Sequence, residues 1–307
     1  MGGKIIVLRA ETFIHPGVGQ TTGAIDLPVA RERITDYPFI PGSGVKGAFR
    51  VWAREQAGLG KKEKTLFGNA AGDVDANEAS EGESTGKDNE AAGGEGAGLI
   101  LFSDARLLLL PVRCTSAAWK WATCPDLLKR LERDCSRAGM KDISLSASVE
   151  KGKYLGTGEN GASLGLEERE FSHAGAVADD IIQTLADVSG IDDEDLRQRL
   201  VILNDDDFVW FARHALPIMA RNALDENKKV KRGALWYEEA LPPDTVMHVV
   251  LGERQTGALQ QLTSRIDNAP YIQMGGNETV GQGWFRMQMA QGRVRDGQEE
   301  KGQKKQE

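Results

Sequence analysis

Pro41-Gly42-Ser43-Gly44-Val45-Lys46-Gly47-Ala48-Phe49-Arg50, continuing through Val51-Trp52-Ala53-Arg54-Glu55, turns a glycine-rich corner into an amphipathic helix. Val45, Ala48, Phe49 and Trp52 share one face, so the spacing predicts a helix over 46–55 with its cap near Ser43 or Gly44. Upstream, 4–14 reads as a strand. Downstream, 99–102 and 105–112 read as two strands, the second holding the longest apolar run, Leu107 to Leu110. Pro125 opens a helix with Leu127, Leu128, Leu131 and Cys135 on one side, ending near Gly139. A strand over 246–251, a helix over 256–267 through Leu259, Leu262 and Ile266, and a strand over 284–289 complete the series.

Strand, helix, two strands, helix, strand is the order of a ferredoxin-like or RRM-type core. The fold class is therefore α+β, a modified ferredoxin-like/RRM core with an inserted helical region and a β-hairpin. The insertion runs over 140–218, with a Gly/Ser-rich part and then helices over 177–188, 194–203 and 208–219. The hairpin candidate lies within 219–243, with a turn signal at Asp225-Glu226-Asn227 and a basic return arm. A single domain over 1–290 and a polar, disordered tail over 291–307 account for the chain. No period of 20–50 residues marks it as a repeat protein.

The 307 residues are 40% hydrophobic, enough to bury a core, while 36 glycines point to segments outside it. No run approaches the roughly 20 apolar residues that span a bilayer. The first apolar stretch is cut short by Arg9 and Glu11, so it is not a secretory signal. Cys114, Cys124 and Cys135 fit neither a zinc pattern nor a disulfide framework, which suits a reducing cytoplasm. The net charge of −8 argues against a nucleic-acid partner until it is partitioned. Asp73, Asp75, Glu78, Glu81, Glu83, Asp88, Glu90 and Glu95 face Lys87 alone in the stretch 71–98. That stretch has too little apolar surface to offset its ordering entropy and reads as a disordered loop. The rest of the chain is close to neutral, which leaves room for local basic faces.

Three segments carry polar chemistry. In the 41–50 segment, glycines ahead of a helix suggest backbone amides presented to phosphate. A Walker A loop needs Ser or Thr directly after its lysine; Gly47 stands there, which excludes an NTPase. Lys46, Arg50 and Arg54 recur every four residues, as a phosphate grip or as a solvated basic face. The second segment, Pro270 to Trp284, holds Gly275, Gly276, Gly281 and Gly283, which permit close backbone approach to a phosphate or serve a tight turn. The third, His15-Pro16-Gly17-Val18-Gly19-Gln20-Thr21-Thr22-Gly23-Ala24-Ile25-Asp26, presents a histidine and an aspartate for acid–base work, for a metal, or for turns and caps. His173, His214 and His248 fall in no ligand spacing.

Together these segments resemble the RAMP superfamily of CRISPR proteins. Ile25-Asp26-Leu27-Pro28 followed by Ile40-Pro41-Gly42-Ser43-Gly44-Val45-Lys46-Gly47 matches the family's acidic segment and its "I-P-G-S-S-L-K-G" pattern, with Gly44 in place of the second serine. Gly275-Gly276-Asn277-Glu278-Thr279-Val280-Gly281-Gln282-Gly283 is similar to its glycine-rich signature. Leu235-Trp236-Tyr237-Glu238-Glu239 with Leu241-Pro242 points to the Cmr branch, the type III-B effector, and to its repeated backbone subunit.

The resemblance implies that copies polymerise on a guide crRNA beside other type III effector subunits. The hairpin would be a thumb that splays the guide–target duplex. It places RNA contacts at Arg31, Ser43, Lys46, Arg50, Arg221, Trp236, Gly275, Gly276, Asn277, Gly281 and Gln282. It also implies cleavage of complementary target RNA at regular intervals with a divalent metal ion, magnesium, at Asp26. His15 and Glu238 are secondary catalytic candidates for which structural roles remain as open, and Trp236 and Tyr237 either stack on bases or pack the thumb. The expected chemistry is attack by the ribose 2′-hydroxyl. Two alternatives stand beside it, an architectural RNA-binding subunit without nuclease activity and a stand-alone ribonuclease for precursor RNA. The implied setting is cytoplasmic, with no membrane partner.

Overall fold

The computed structural model describes residues 3–69, 96–141, 143–159 and 161–292. The acidic stretch expected to be disordered and the tail lie, except for 96–98 and 291–292, outside the described residues. Among the described residues, no helix is long and apolar enough to cross a membrane.

The chain begins with β1 (Gly3–Ala10), β2 (Phe39–Ile40), α1 (Gly42–Glu55), α2 (Glu63–Phe67), β3 (Ile100–Phe102) and β4 (Ala105–Arg113). Then come β5 (Trp119–Thr123), α3 (Pro125–Arg137), β6 (Lys153–Leu155), β7 (Ser163–Leu166), β8 (Arg169–Gly175), α4 (Asp179–Ser189), α5 (Asp193–Arg199), β9 (Leu200–Leu203) and α6 (Asp205–His214). The last third holds β10 (Ile218–Leu224), β11 (Val230–Glu239), β12 (Val246–Glu253), α7 (Ala258–Thr263), β13 (Tyr271–Gln273) and β14 (Trp284–Met289).

The main sheet runs β13-β14-β1-β12-β4-β5-β9-β6-β8-β7. Its centre, β14-β1-β12-β4, is antiparallel throughout. Ile5, Ile6, Val7 and Leu8 are all buried because both faces of the sheet are covered, which is why β1 shows no polar alternation. Ile6, Leu8, Val249, Leu251 and Phe285 pack with Val45, Phe49 and Trp52 of α1 and Leu259 and Leu262 of α7. On the other face, Ile5, Val7 and Val246 pack with Leu128 and Leu131 of α3 and Ile181 and Leu185 of α4.

Several expectations change. The first strand stops at Ala10, where Glu11 turns to bond the Trp284 carbonyl. Residues 99–102 and 105–112 form strands as read, and β3 and β4 both pair with β12, end to end along it. The helix after β12 that leads back into the central sheet is α7, whereas α3 follows β5 outside those four strands. The predicted helix over 194–203 splits into α5 and β9, since Leu200–Leu203 is buried on both sides as a strand. Helix α6 covers Asp205–His214 and the hairpin takes up the chain from Ile218. The Gly/Ser-rich part of the insertion holds β6, β7 and β8, and β5 was not foreseen. The cap of α1 comes from neither Ser43 nor Gly44: Pro41 precedes the helix, and the Gly42 N–H donates to the distant Asp104 Oδ1 at 2.7 Å.

All three cysteines are free thiols, and burial pushes Cys124 and Cys135 up to about 12, so both stay protonated and unreactive. One buried carboxylate anchors α3 to the sheet. Asp134 Oδ2 accepts from His248 Nε2 at 3.0 Å and Arg106 Nη1 at 2.9 Å, and Oδ1 accepts from Arg137 Nη1 at 3.0 Å. Burial by itself would raise this carboxyl, but His248, then Arg106 and Arg137, hold it below the usual carboxylate range. A depressed carboxyl stabilises the fold above its unfolded pKa, near 3.9, and loses that contribution as pH falls through the lower folded value. Asp134→Asn is expected to cost about 1–3 kcal/mol at neutral pH. Its stability should fall less steeply below about pH 4 than that of the unmodified chain, as read by denaturant titration across pH.

Candidate nucleic-acid interface at the root of the hairpin

Strands β10 and β11 form a separate two-stranded sheet whose register pairs Met219 with Glu238, Arg221 with Trp236 and Asn222 with Leu235. Asp225 closes the turn, its Oδ1 accepting from the N–H groups of Asn227 and Lys229 at 2.9 Å each. Lys228, Lys229, Lys231 and Arg232 are exposed around the tip, so the basic return arm points into solvent. At the other end, Glu238 and Glu239 are only 2% and 3% exposed.

The segment 15–31 lies against this buried root. Leu27 N–H donates to the Tyr237 carbonyl at 3.1 Å, and Glu239 N–H donates to the Leu27 carbonyl at 3.0 Å. Between them, half-buried Asp26 accepts the Tyr237 N–H on Oδ2 at 2.8 Å. That backbone grip fixes the carboxylate beside the hairpin and leaves Oδ1 uncommitted among the described residues.

His15 is buried on the same root. Its Nδ1 lies 2.7 Å from the Glu239 carbonyl oxygen, which can only accept, so Nδ1 carries a proton and donates, which makes Nε2 the acceptor in the neutral tautomer. The Gly276 N–H donates to the His15 carbonyl at 2.8 Å. Gly275 sits at φ +97° with room for no side chain, since a Cβ there would lie 2.8 Å from that carbonyl. The glycine-rich loop is thus glycine-rich, at this position, so that His15 can lie beneath it.

Glu238 joins the hairpin to that loop. Its Oε1 accepts from Arg221 Nη2 at 3.2 Å and from Asn277 Nδ2, and the same Asn277 amide donates to Gln282 Oε1 at 2.9 Å. The structure therefore brings together Asp26, His15, Glu238, Arg221, Gly275, Gly276, Asn277 and Gln282, from three regions of the sequence. Glu238 is a buried tie within this group. Trp236 is half-buried opposite Arg221, while Tyr237 is exposed.

Two expected RNA contacts turn inward. Arg31 donates to Glu239 Oε1, to the Asp36 carbonyl at 3.1 Å and to the Ala212 carbonyl. Arg50 donates to the carbonyls of Phe67 at 3.0 Å and Gly68 at 2.7 Å, bracing the C-terminal end of α2, where a cation suits the helix dipole. Ser43 remains exposed in the first turn of α1, and Lys46 has no ion pair among the described residues. Gly281 is exposed at φ +80°. Glu239 was missed from sequence. Its half-buried partner, Arg31, is 208 positions away, and no local pattern links the two.

Among the described residues, no group of three or more His, Cys, Asp or Glu is placed to hold a metal. Among the described residues, a cation caged by protein alone therefore does not fit. A single carboxylate such as Asp26 does suit magnesium, which commonly binds one or two carboxylates together with substrate phosphates.

Residues 7–286 match the model of the RAMP superfamily. The chain is 28% identical over 302 residues to the CRISPR system Cmr endoribonuclease Cmr4 of Pyrococcus furiosus, covering 94% of this chain and 95% of that protein. The fold is similar to the crystal structure of oligomeric Cmr4 from Pyrococcus furiosus, with a TM-score of 0.69 and 22% identity over 94% of this chain and 98% of that one. It is also similar to a chain of the cryo-EM structure of the Type III-B Cmr-beta bound to cognate target RNA, with a TM-score of 0.70, 22% identity and the same coverage.

Proposed function

The chain belongs to the RAMP superfamily, and from that premise we propose that it is a backbone subunit of a type III-B CRISPR effector that cuts target RNA beside its hairpin. In this reading β1-α1-β4 and β12-α7-β14 are the two halves of a ferredoxin-like core, and β10–β11 is the thumb. Copies of the chain line up along a guide crRNA in the cytoplasm, with other type III subunits at the ends. The observation that carries the reading is the placement of Asp26, gripped by the backbone of β11 where an exposed basic hairpin leaves the fold.

The chemistry follows from that placement. A hairpin that pushes between guide and target unstacks a base and frees the neighbouring ribose. Its 2′-hydroxyl then attacks the adjacent phosphorus, the bond to the 5′-oxygen breaks, and the departing 5′-oxygen takes a proton from solvent, so that a 2′,3′-cyclic phosphate and a 5′-hydroxyl result. Asp26 takes the 2′-hydroxyl proton. His15, with Nε2 bare, accepts a hydrogen bond and so orients a hydroxyl in its neutral form. A magnesium ion held by Asp26 and RNA phosphates would lower the pKa of the hydroxyl and offset phosphate charge.

Guide-loaded assemblies are expected to cut a complementary target at evenly spaced sites and to leave a target with 2′-deoxyribose at those positions intact. Cutting of the deoxy target would overturn the proposed nucleophile. Assembly without cutting would leave an architectural subunit, and cleavage of precursor repeat RNA by the isolated chain would favour the stand-alone ribonuclease.

A further inference from the structure

Arg9 on β1 stands directly opposite Arg286 on β14 in the sheet register, and Tyr271 on β13 stands opposite Arg286 from the other side. Cross-strand partners share a face, so the three side chains form one row across three adjacent strands. Like charges placed opposite each other destabilise a sheet. Arg9 has its own compensation: its Nε and Nη2 donate to Asp244 Oδ1 at 2.9 and 2.6 Å, and its guanidinium lies 5.5 Å from the centre of the Trp121 ring. Arg286 has none. It is exposed and makes no hydrogen bond or salt bridge among the described residues. A local rule broken without a compensating contact inside the chain is the mark of a functional surface.

The surroundings of Arg286 suit an anion. A recess of about 40 Å³ has Arg9 and Arg286 as its charged walls, with Ser189 and Gln288 beside them. Exposed Glu11, which follows β1, is not among the residues that wall it. Gln288 lies two residues beyond Arg286 and so on the same face. Its half-buried side chain makes no hydrogen bond among the described residues, which leaves its amide donors uncommitted. One strand away, Tyr271 is 45% exposed and in no ring contact among the described residues. Neighbouring strands lie about 5 Å apart, so a base stacked on Tyr271 and a phosphate held at Arg286 belong to one nucleotide. The glycine-rich loop joins β13 to β14, and the row therefore continues the candidate interface along the same two strands.

We propose that Arg286, Gln288 and Arg9 hold a phosphate of single-stranded RNA and that Tyr271 stacks the attached base. This rests on the reading that RNA lies across the glycine-rich loop, and it adds a nucleotide seat on the sheet face beyond that loop.

The test is fluorescence anisotropy of an end-labelled oligouridylate titrated with the full chain across a salt series. Arg286→Gln is expected to weaken binding about threefold to tenfold and to reduce the slope of log K against log salt by about 0.7, the share of one single-strand phosphate contact. Tyr271→Ala should weaken binding about fivefold or more with the slope unchanged, while Tyr271→Phe binds like the unmodified chain. Lys129→Gln removes the same charge from the exposed side of α3 and should change neither quantity. Stability should move the other way: Arg286→Gln relieves the like-charge pair, so its melting temperature should equal or exceed that of the unmodified chain. A lowered melting temperature would make Arg286 a structural residue and overturn the proposal. Affinity and slope unmoved by Arg286→Gln, or a loss no larger than that of Lys129→Gln, would overturn it and leave the hairpin reading in place. An unmodified chain that binds no RNA would overturn both.

Discussion

Asp26→Asn is expected to slow spaced target cutting by at least about 100-fold while leaving guide binding and assembly as they were, since removing a positioned general base typically costs 10²–10⁴-fold. The asparagine keeps an oxygen for the Tyr237 N–H, which Asp26 Oδ2 now accepts at 2.8 Å, so segment 15–31 should stay docked on the hairpin root. What it loses is the negative charge and the proton-accepting second oxygen. Asp26→Ala removes the backbone contact as well, and it should therefore loosen the loop in addition to stopping the cut. Single-turnover cleavage of an end-labelled target, with assembly checked by electron microscopy, separates the two effects. If Asp26→Asn cut at the unmodified rate in a normal assembly, the carboxylate would have no part in the reaction.

How much of this was legible beforehand differs between elements. Helix α1 was readable because Val45, Phe49 and Trp52 repeat at helical spacing, and the hairpin because the Asp225-Glu226-Asn227 turn signal precedes a basic return arm. Strand β9 was not, since Leu-Val-Ile-Leu is a short apolar run that fits a helix end as well as a doubly buried strand. The role of α7 was hidden in the same way. Periodicity marks a helix there but says nothing about which helix returns the chain to the central sheet, a question settled by the pairing of β12 with β1 and of β14 with β1. At the candidate site, glycine spacing and the 15–26 segment singled out two loops that the structure places side by side. The fates of Arg31 and Arg50 could not be read, because a basic residue looks the same in sequence whether it faces solvent or is spent on carbonyls of a distant segment.

Glu239→Ala is the substitution expected to cost the fold most. Its carboxylate, 3% exposed, accepts the Val29 N–H on Oε2 at 3.0 Å and pairs with Arg31 on Oε1. Removing it leaves the Arg31 guanidinium, itself largely covered, without its counter-ion and the Val29 amide without an acceptor. Breaking one side of a buried pair costs about 3–5 kcal/mol, far more than the pair adds over an apolar substitute. A loss of that size should lower the melting temperature by roughly 5–8 °C in a chain of this length. Glu239→Gln should fall between, since it retains one acceptor and presents a donor to groups that already donate. The paired change Arg31→Leu with Glu239→Leu should recover much of the loss, because it removes the orphaned charge together with its partner. The same carboxylate holds Val29 three residues from Asp26, and the Glu239 carbonyl sets the His15 tautomer, so this variant should also cut poorly even with Asp26 intact. Asp26→Asn, by contrast, should leave the melting temperature within about 1–2 °C of the parent, as expected for a half-exposed substitution that keeps its backbone contact. A Glu239→Ala chain that melted with the parent would mean that water reaches and screens Arg31.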